Sequence, residues 1–342
     1  MWSFAYPQIW FTYGPNTKDD SVLRALFEAG ATGVRLTFSY GTPELQGERA
    51  TQLRDVANEV GRTIVIVADL QGEKCRFSKI DGIDEIAIKT GQPFILTAAA
   101  ADLESSPIRL QIQLPKYLET LQSGDVIIEG DGALLINVLE RTADGVLCAT
   151  ENDGVIHPGR GIIVRKSDFR PTPMTGKDKE DLMFAARSGL FDMAAISFVG
   201  DPMDVSEAKR IIAEEHSSMD VLAKIETQLG IDRIDGIAKE ADALMAARGD
   251  LALTLPWVEL YSAVSKLSDG AKVAGTPWIL ATQLAEGLER FAFPTRPEIC
   301  DLAHWIRQGA AGAMLSYETA FGPKPVDAVR YVTEIVRRYQ SS

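Results

Sequence analysis

The chain has 342 residues, 46% apolar and 24% charged, longer than one ordinary domain and able to bury a substantial core. Its 35 Lys and Arg against 48 Asp and Glu leave a formal charge of −13, which argues against a duplex-binding or membrane-surface protein, since both need clustered cations. No run has the length of a membrane-spanning helix, the N-terminus lacks a basic and apolar leader, and the three cysteines lack metal-like spacing, so a cytoplasmic location is expected.

Taken in chain order, short β-rich runs fall at 9–12, 33–37, 63–69, 193–198, 221–226, 243–247, 278–282 and 313–316. Between most of them lie stretches with helical spacing, at 19–29, 43–60, 177–188, 205–215, 231–240 and 296–309, and a last helix covers 325–339. Gly30, Gly61, Gly189 and Gly309 stand where helices should stop. Parallel strands joined by crossover helices must close into a barrel or open into a doubly wound sheet, and eight runs point to a (β/α)8 barrel. Its chemistry belongs at the C-terminal ends of the strands, where Thr37, Ser39, Asp69, Ser197, Glu226, Asp250, Thr282, Ser316 and Glu318 follow the apolar runs.

The third run ends at Asp69 and the next helix begins only near Lys177, too long a gap for one connection. Its alternating, turn-rich segments at 85–89, 93–97, 109–113, 126–129, 133–138 and 145–149, with Gly-Asp-Gly at 130–132 as a hairpin signal, predict an inserted small β-barrel. The division is therefore a barrel of residues 1–76 and 166–342 with a lid of residues 77–165 hinged over its mouth.

Two cassettes carry the strongest chemical signal: Ala223-Lys224-Ile225-Glu226 and Ala247-Arg248-Gly249-Asp250, each closing an apolar run. Carboxylates one strand-helix period apart, beside a Lys and an Arg, suit a divalent cation and a phosphate. Strand alternation sets Lys224 and Glu226 on one face. The three histidines lack metal-ligand spacing, which argues against zinc, and Cys75 has no activating base in any recognised pattern.

The ordered motifs resemble the pyruvate kinase family over nearly the whole chain. They are Thr12-Tyr13-Gly14-Pro15, Arg35-Leu36-Thr37-Phe38-Ser39-Tyr40-Gly41, Asp69-Leu70-Gln71-Gly72-Glu73-Lys74-Cys75-Arg76, the two cassettes, Ala281-Thr282-Gln283, Pro294-Thr295-Arg296-Pro297-Glu298, and Met314-Leu315-Ser316-Tyr317-Glu318-Thr319-Ala320. The resemblance implies transfer of a phosphoryl group from phosphoenolpyruvate to ADP, giving pyruvate and ATP. It implies Mg²⁺ or Mn²⁺ on Glu226 and Asp250, with Lys224 at the transferring group. Arg35 and Arg76 would bind phosphate, Thr282 would join a proton relay, and the amides of Gly249 and Asp250, with Ser197, would line the substrate pocket. Nucleotide would meet Arg35, Thr37, Tyr40, Arg160 and the lid acid Asp131, while Ser39, Asp69, Ser316 and Glu318 orient the rest.

Members that require K⁺ usually read Asp-Thr-Lys-Gly-Pro-Glu in the third-strand motif. Here Leu70 removes a hydroxyl and Lys74 supplies an ammonium, so the resemblance implies activity without K⁺. Departures gather where nucleotide should lie, with Thr37 for Asn, Tyr40 for His and Leu45 for Tyr, and extend to Glu73, Leu229, Ala252 and Tyr317. They leave three alternatives open: another phosphoryl acceptor, a metal-dependent lyase acting on pyruvate enolate, or a non-catalytic relative. The family's C-terminal regulatory domain is expected to be absent, so its effector sites are not expected here. A homodimer through barrel helices and a separate regulatory subunit are both compatible with the sequence; a nucleic-acid or membrane partner is not.

Overall fold

The computed structural model describes residues 7–130, 132–165 and 170–340. In chain order its strands are β1 (Gln8–Thr12), β2 (Gly33–Thr37), β3 (Val65–Asp69), β4 (Ile86–Ile88), β5 (Pro93–Thr97), β6 (Ile108–Gln111), β7 (Val126–Glu129), β8 (Leu134–Thr142), β9 (Gly145–Thr150), β10 (Gly154–Ile156), β11 (Ile162–Arg165), β12 (Met193–Ile196), β13 (Asp220–Ile225), β14 (Ala243–Ala247), β15 (Trp278–Ala281) and β16 (Gly312–Met314).

Two compact units divide the chain: Met1–Gly72, Thr172–Leu251 and Leu260–Ser342 form one, and Glu73–Pro171 with Ala252–Glu259 form the other. In the first unit, β1, β2, β3 and β12 to β16 pair in parallel in the closed order β1-β16-β15-β14-β13-β12-β3-β2. This is the eight-stranded barrel expected from the apolar runs. Its interior is filled by alternate residues of each strand, among them Trp10, Val65, Val67, Met193, Ala195, Leu222, Met245 and Ile279. Gly33 leaves the space that Trp10 takes, since a Cβ there would lie 2.5 Å from the indole Cδ1.

Helix starts follow local chemistry. Capping boxes at Thr175/Asp178, Asp201/Asp204 and Thr295/Glu298 fix the helices Gly176–Ser188, Pro202–Glu214 and Arg296–Arg307. The Asp201 box starts its helix three residues before the expected 205. The stretch 231–240, expected as one helix, is two, Gln228–Asp232 and Ile234–Glu240, parted at Arg233. Helix Leu260–Ala274 was not among the expected elements; within it Gly270 is accepted because Ile234 packs against it.

The second unit is a six-stranded sheet in the order β11-β7-β8-β9-β5-β6, with β10 and β4 as a separate pair. Residues 75–78 join its two edges. Phe77 N donates to Arg160 O at 3.1 Å and Ile162 N to Cys75 O at 2.9 Å, while Ser78 N donates to Gln111 O at 2.8 Å and Gln113 N to Arg76 O at 2.9 Å. The sheet thus closes on itself around Phe94, Leu96, Ile127, Leu134, Ile136, Val146 and Cys148. Leu253 packs against this core, which is why Ala252–Glu259 joins the unit despite its place in the sequence. β7 and β8 pair antiparallel, with Glu129 opposite Leu134.

Candidate active site

The polar centre of the first unit continues the alternation that fills the barrel. In each strand the residue two positions beyond an interior apolar side chain shares its face, so Trp10 leads to Thr12, Val67 to Asp69, Ala195 to Ser197, and Leu222 to Lys224 and then Glu226. Arg35 stands in the same relation to Gly33. The barrel therefore ends in a layer of hydrogen-bonding and charged groups on an apolar floor.

Lys224 is the hub. Its Nζ lies 3.2 Å from Asp69 Oδ1, 3.2 Å from Glu226 Oε1 and 2.8 Å from Ser197 Oγ, with only 8% of the residue exposed. The Asp69 contact is an ion pair without the angle of a hydrogen bond, so Oδ1 remains a buried acceptor without a directed donor among the described residues. Burial works against the Lys224 charge, yet Asp69 and Glu226 outweigh it and raise the ammonium above its ordinary range. Burial would also raise Asp69, but Arg35 and Lys224 hold that carboxyl below the usual carboxylate range. Arg35 reaches Asp69 Oδ2 through Nε at 2.7 Å and Nη2 at 2.6 Å, and Thr12 Oγ1 through Nη1 at 3.4 Å.

Glu226 behaves differently. Burial pushes its carboxyl up, Lys224 opposes the rise, and the charges of Asp250 and Asp69 add to it. The two cassette carboxylates are thus close enough to repel, which is the condition a shared cation relieves. Among the described residues no group of three or more His, Cys, Asp or Glu converges. The mutually repelling Glu226 and Asp250 carboxylates fit a hard divalent ion that completes its shell from substrate and water, as Mg²⁺ or Mn²⁺ does.

The loops that hold these groups are strained at defined points. Phe198, Thr282 and Gln283 have φ of 53°, 77° and 56°, sparsely populated for side chains with a Cβ and found just beyond β12 and β15. Phe198 N donates to Glu226 Oε2 at 2.7 Å. Arg248 holds the Thr282 turn, donating to Thr282 O at 2.6 Å and Ala281 O at 3.2 Å, with Asp301 Oδ2 at 2.5 Å from Nη1. Its guanidinium is committed to this turn, a correction to its expected place beside phosphate. Gly249 sits against Thr282, whose Oγ1 would lie 3.4 Å from a Cβ on the glycine.

Asp178 performs a role that motif reading missed. One carboxylate oxygen accepts from Gln71 N at 2.9 Å and Gly72 N at 3.2 Å, and the other from the Thr175 amide and hydroxyl. Gly72 has φ 66°, and a Cβ on it would lie 2.8 Å from Ser197 Cβ. The Thr-x-x-Asp pattern at 175–178 was the available signal, but it announces only a helix start. Glu318 likewise gathers loop amides, accepting from Leu284 N at 2.9 Å, Ala285 N at 3.3 Å and Ser316 N at 2.8 Å. Glu318 therefore ties the loop after β15 to the loop after β16, where Ser316 lies.

Of the predicted residues, Arg35, Asp69, Ser197, Lys224 and Glu226 form one contact network, with Asp250 joined to it electrostatically and Gly249 and Thr282 adjacent to each other. Thr37, the last residue of β2, and Ser39 just beyond it are half-buried, and Tyr40 is 67% exposed, its carbonyl and that of Thr37 held by Gln46 Nε2 at 2.6 and 2.9 Å. Arg76, Lys74 and Arg160 belong to the second unit. There Arg76 donates to Gly159 O at 3.3 Å and the Lys74 stem packs against Gly161. Asp131 lies outside the described residues. Cys75 and Cys148 are buried thiols pushed up to about 11 and about 12, so neither is a nucleophile.

Residues 6–329 match the family model described as pyruvate kinase, barrel domain. Among similar proteins, pyruvate kinase 2 of a Synechocystis species is 34% identical over 332 residues, covering 96% of this chain and 56% of its own length. Pyruvate kinase of Thermococcus litoralis is 31% identical over 326 residues, 95% of this chain and 68% of its own. Pyruvate kinase of Leishmania mexicana is 30% identical over 332 residues, 97% and 66% respectively. The chain thus spans between about half and two thirds of the length of these relatives.

Proposed function

Because the chain belongs to the pyruvate kinase family, we propose that it transfers the phosphoryl group of phosphoenolpyruvate to ADP, forming pyruvate and ATP. The observation that carries this reading is the buried Lys224 ammonium, kept charged between Asp69 and Glu226 at the polar end of the barrel.

In the transfer, the bond from the enol oxygen of phosphoenolpyruvate to phosphorus breaks and one from a terminal ADP oxygen to phosphorus forms. Negative charge spreads over the phosphoryl oxygens and onto the departing enol oxygen. Buried Lys224 and half-buried Arg35 are cations at this end of the barrel able to offset that charge, and their shielding from water makes each worth more than in bulk solvent. Ser197, which donates to Leu70 O at 2.7 Å, orients the ammonium. Asp69 anchors both cations and stays ionised through them. Glu226 and Asp250 would hold Mg²⁺ or Mn²⁺, which when bound supplies Lewis-acid neutralisation of substrate oxygens. The amides of Gly249 and Asp250 would take the substrate carboxylate. Thr282, held by Arg248 in its unusual backbone conformation, would pass a proton from water to the enolate carbon, completing pyruvate.

In the first unit Arg35, Thr37 and Tyr40 are assigned to nucleotide; the second unit carries Arg160, also assigned to nucleotide, and Arg76, assigned to phosphate. It also carries Lys74, whose ammonium would stand in for a monovalent cation. The buried Leu70 side chain offers no ligand to K⁺. A different phosphoryl acceptor is the second reading, favoured by the exposed Tyr40 ring, which could pack on another partner. No helix among the described residues is long and apolar enough to cross a membrane.

The test is pyruvate and ATP formation from phosphoenolpyruvate, ADP and Mg²⁺, in tetramethylammonium and in K⁺ buffer, beside Lys224→Met. Turnover that is indifferent to K⁺ and falls at least about 100-fold in the variant is expected. Strong activation by K⁺ would overturn the role given to Lys74. Absent turnover with intact binding of oxalate and Mg²⁺ would replace ADP by another acceptor, and no binding of oxalate and Mg²⁺ would leave a non-catalytic relative.

A further inference from the structure

Within the second unit, one imidazole nitrogen faces two partners that it cannot bond at once. His157 Nδ1 lies 3.2 Å from Glu129 Oε1 and 3.3 Å from Arg160 Nη1. Toward the carboxylate Nδ1 must carry a proton and donate; toward the guanidinium, which only donates, it must be bare and accept. The Arg160 amide donates to the His157 carbonyl at 2.9 Å, so this tight turn keeps the two side chains within reach of each other. Glu129 is 1% exposed, its Oε1 also accepts from the His157 amide at 2.9 Å, and its Oε2 has no hydrogen-bond partner among the described residues. Other charged groups near this turn, among the described residues, include Glu85, with Oε1 3.8 Å from Nε2, Lys79, whose stem packs on Gly159, and Arg76, which donates to Gly159 O at 3.3 Å.

On the reading that Arg160 binds nucleotide phosphate, we propose that His157 is a positioning residue whose protonation releases Arg160 to the nucleotide. A protonated ring donates through Nδ1 to Glu129 and points its Nε2 proton toward Glu85, leaving no lone pair for Arg160. A neutral ring can keep its one proton on Nε2 and accept from Arg160, holding the guanidinium back. Imidazoles change charge between about pH 5 and 8, so the exchange falls in the working range of an enzyme. Burial raises the Glu129 carboxyl, and its contacts with His157 and Arg160 oppose the rise. Nucleotide must then bind more tightly to the protonated form, and by reciprocity bound nucleotide must raise the pH at which the ring loses its proton.

The experiment measures KM for ADP from about pH 5.5 to 8 in the wild type, His157→Gln and Arg160→Leu, with unfolding midpoints as a check on folding. Histidine NMR titration of the wild type with and without MgADP runs alongside. The nucleotide's own phosphate titration is common to all three proteins, so only their difference counts. The expected result is a KM that rises about three- to tenfold more across the range in wild type than in His157→Gln, with kcat profiles unchanged. The His157 midpoint should move up by about half to one pH unit with MgADP, since one unit is a tenfold coupling. Arg160→Leu should raise KM at every pH. A raised KM in Arg160→Leu with the same pH profile in wild type and His157→Gln overturns the switch and spares the phosphate reading. An unchanged KM in Arg160→Leu overturns that reading and the proposal with it. Should there be no turnover, the NMR arm decides: a His157 midpoint indifferent to MgADP overturns the proposal.

Discussion

Replacing Lys224 by Met keeps most of the stem and deletes the charge that two buried carboxylates share. At 3.2 Å and an effective dielectric of about 20, each contact carries roughly 5 kcal/mol of gross attraction. Much of this is offset by the cost of burying the ammonium, and breaking a buried pair from one side destabilises by about 3–5 kcal/mol. The loss is unequal. Asp69 keeps Arg35 at 2.6 and 2.7 Å, whereas Glu226, already raised by burial with Asp250 and Asp69 adding to it, loses the cation that opposes the rise. A carboxyl whose folded pKa lies above its unfolded value favours folding fully below the unfolded pKa, and that contribution is lost as pH rises through the folded value. The deficit of the variant should therefore be about 3–5 kcal/mol at pH 8 and shrink toward pH 5.5 as Glu226 takes up a proton. Urea unfolding followed by tryptophan fluorescence measures it, Trp10 lying inside the barrel. A deficit that is equal at the two pH values, or no deficit at pH 8, would refute the argument.

Three further outcomes can be checked. Gly72→Ala forces a Cβ to within 2.8 Å of Ser197 Cβ at φ 66°, so it should lower stability by about 1–3 kcal/mol in urea unfolding and reduce turnover through the displaced Ser197. Glu318→Gln turns one of its two amide-accepting oxygens into a donor facing a backbone N–H; a loss of about 1–3 kcal/mol is expected in the same assay, and a neutral result would deny the loop-gathering role. With Cys75 and Cys148 buried and Cys300 exposed, a thiol reagent at pH 8 should modify one cysteine quickly in the folded protein and three after denaturation; fast reaction of a second thiol would contradict the packing.

The sequence by itself determined the barrel and much of its chemistry. Period-two alternation carries the apolar interior of each strand directly into Asp69, Ser197, Lys224 and Glu226, and Thr-x-x-Asp or Thr-x-x-Glu boxes mark where helices begin; both signals are local and need no knowledge of partners. Only the tertiary structure decided which charges meet. That Arg35 and Lys224 share Asp69 depends on β2, β3 and β13, which lie far apart in sequence, and that Arg248 serves the Thr282 turn depends on Asp301, 53 residues away. The same holds for residues 75–78, whose apolar content is too short to read as a strand until two distant edges supply its hydrogen bonds, and for the left-handed backbone at Phe198 and Thr282, where packing overrides what their side chains prefer locally. Side-chain periodicity is written along the chain, whereas hydrogen-bond partners and backbone strain arise only when distant segments are pressed together.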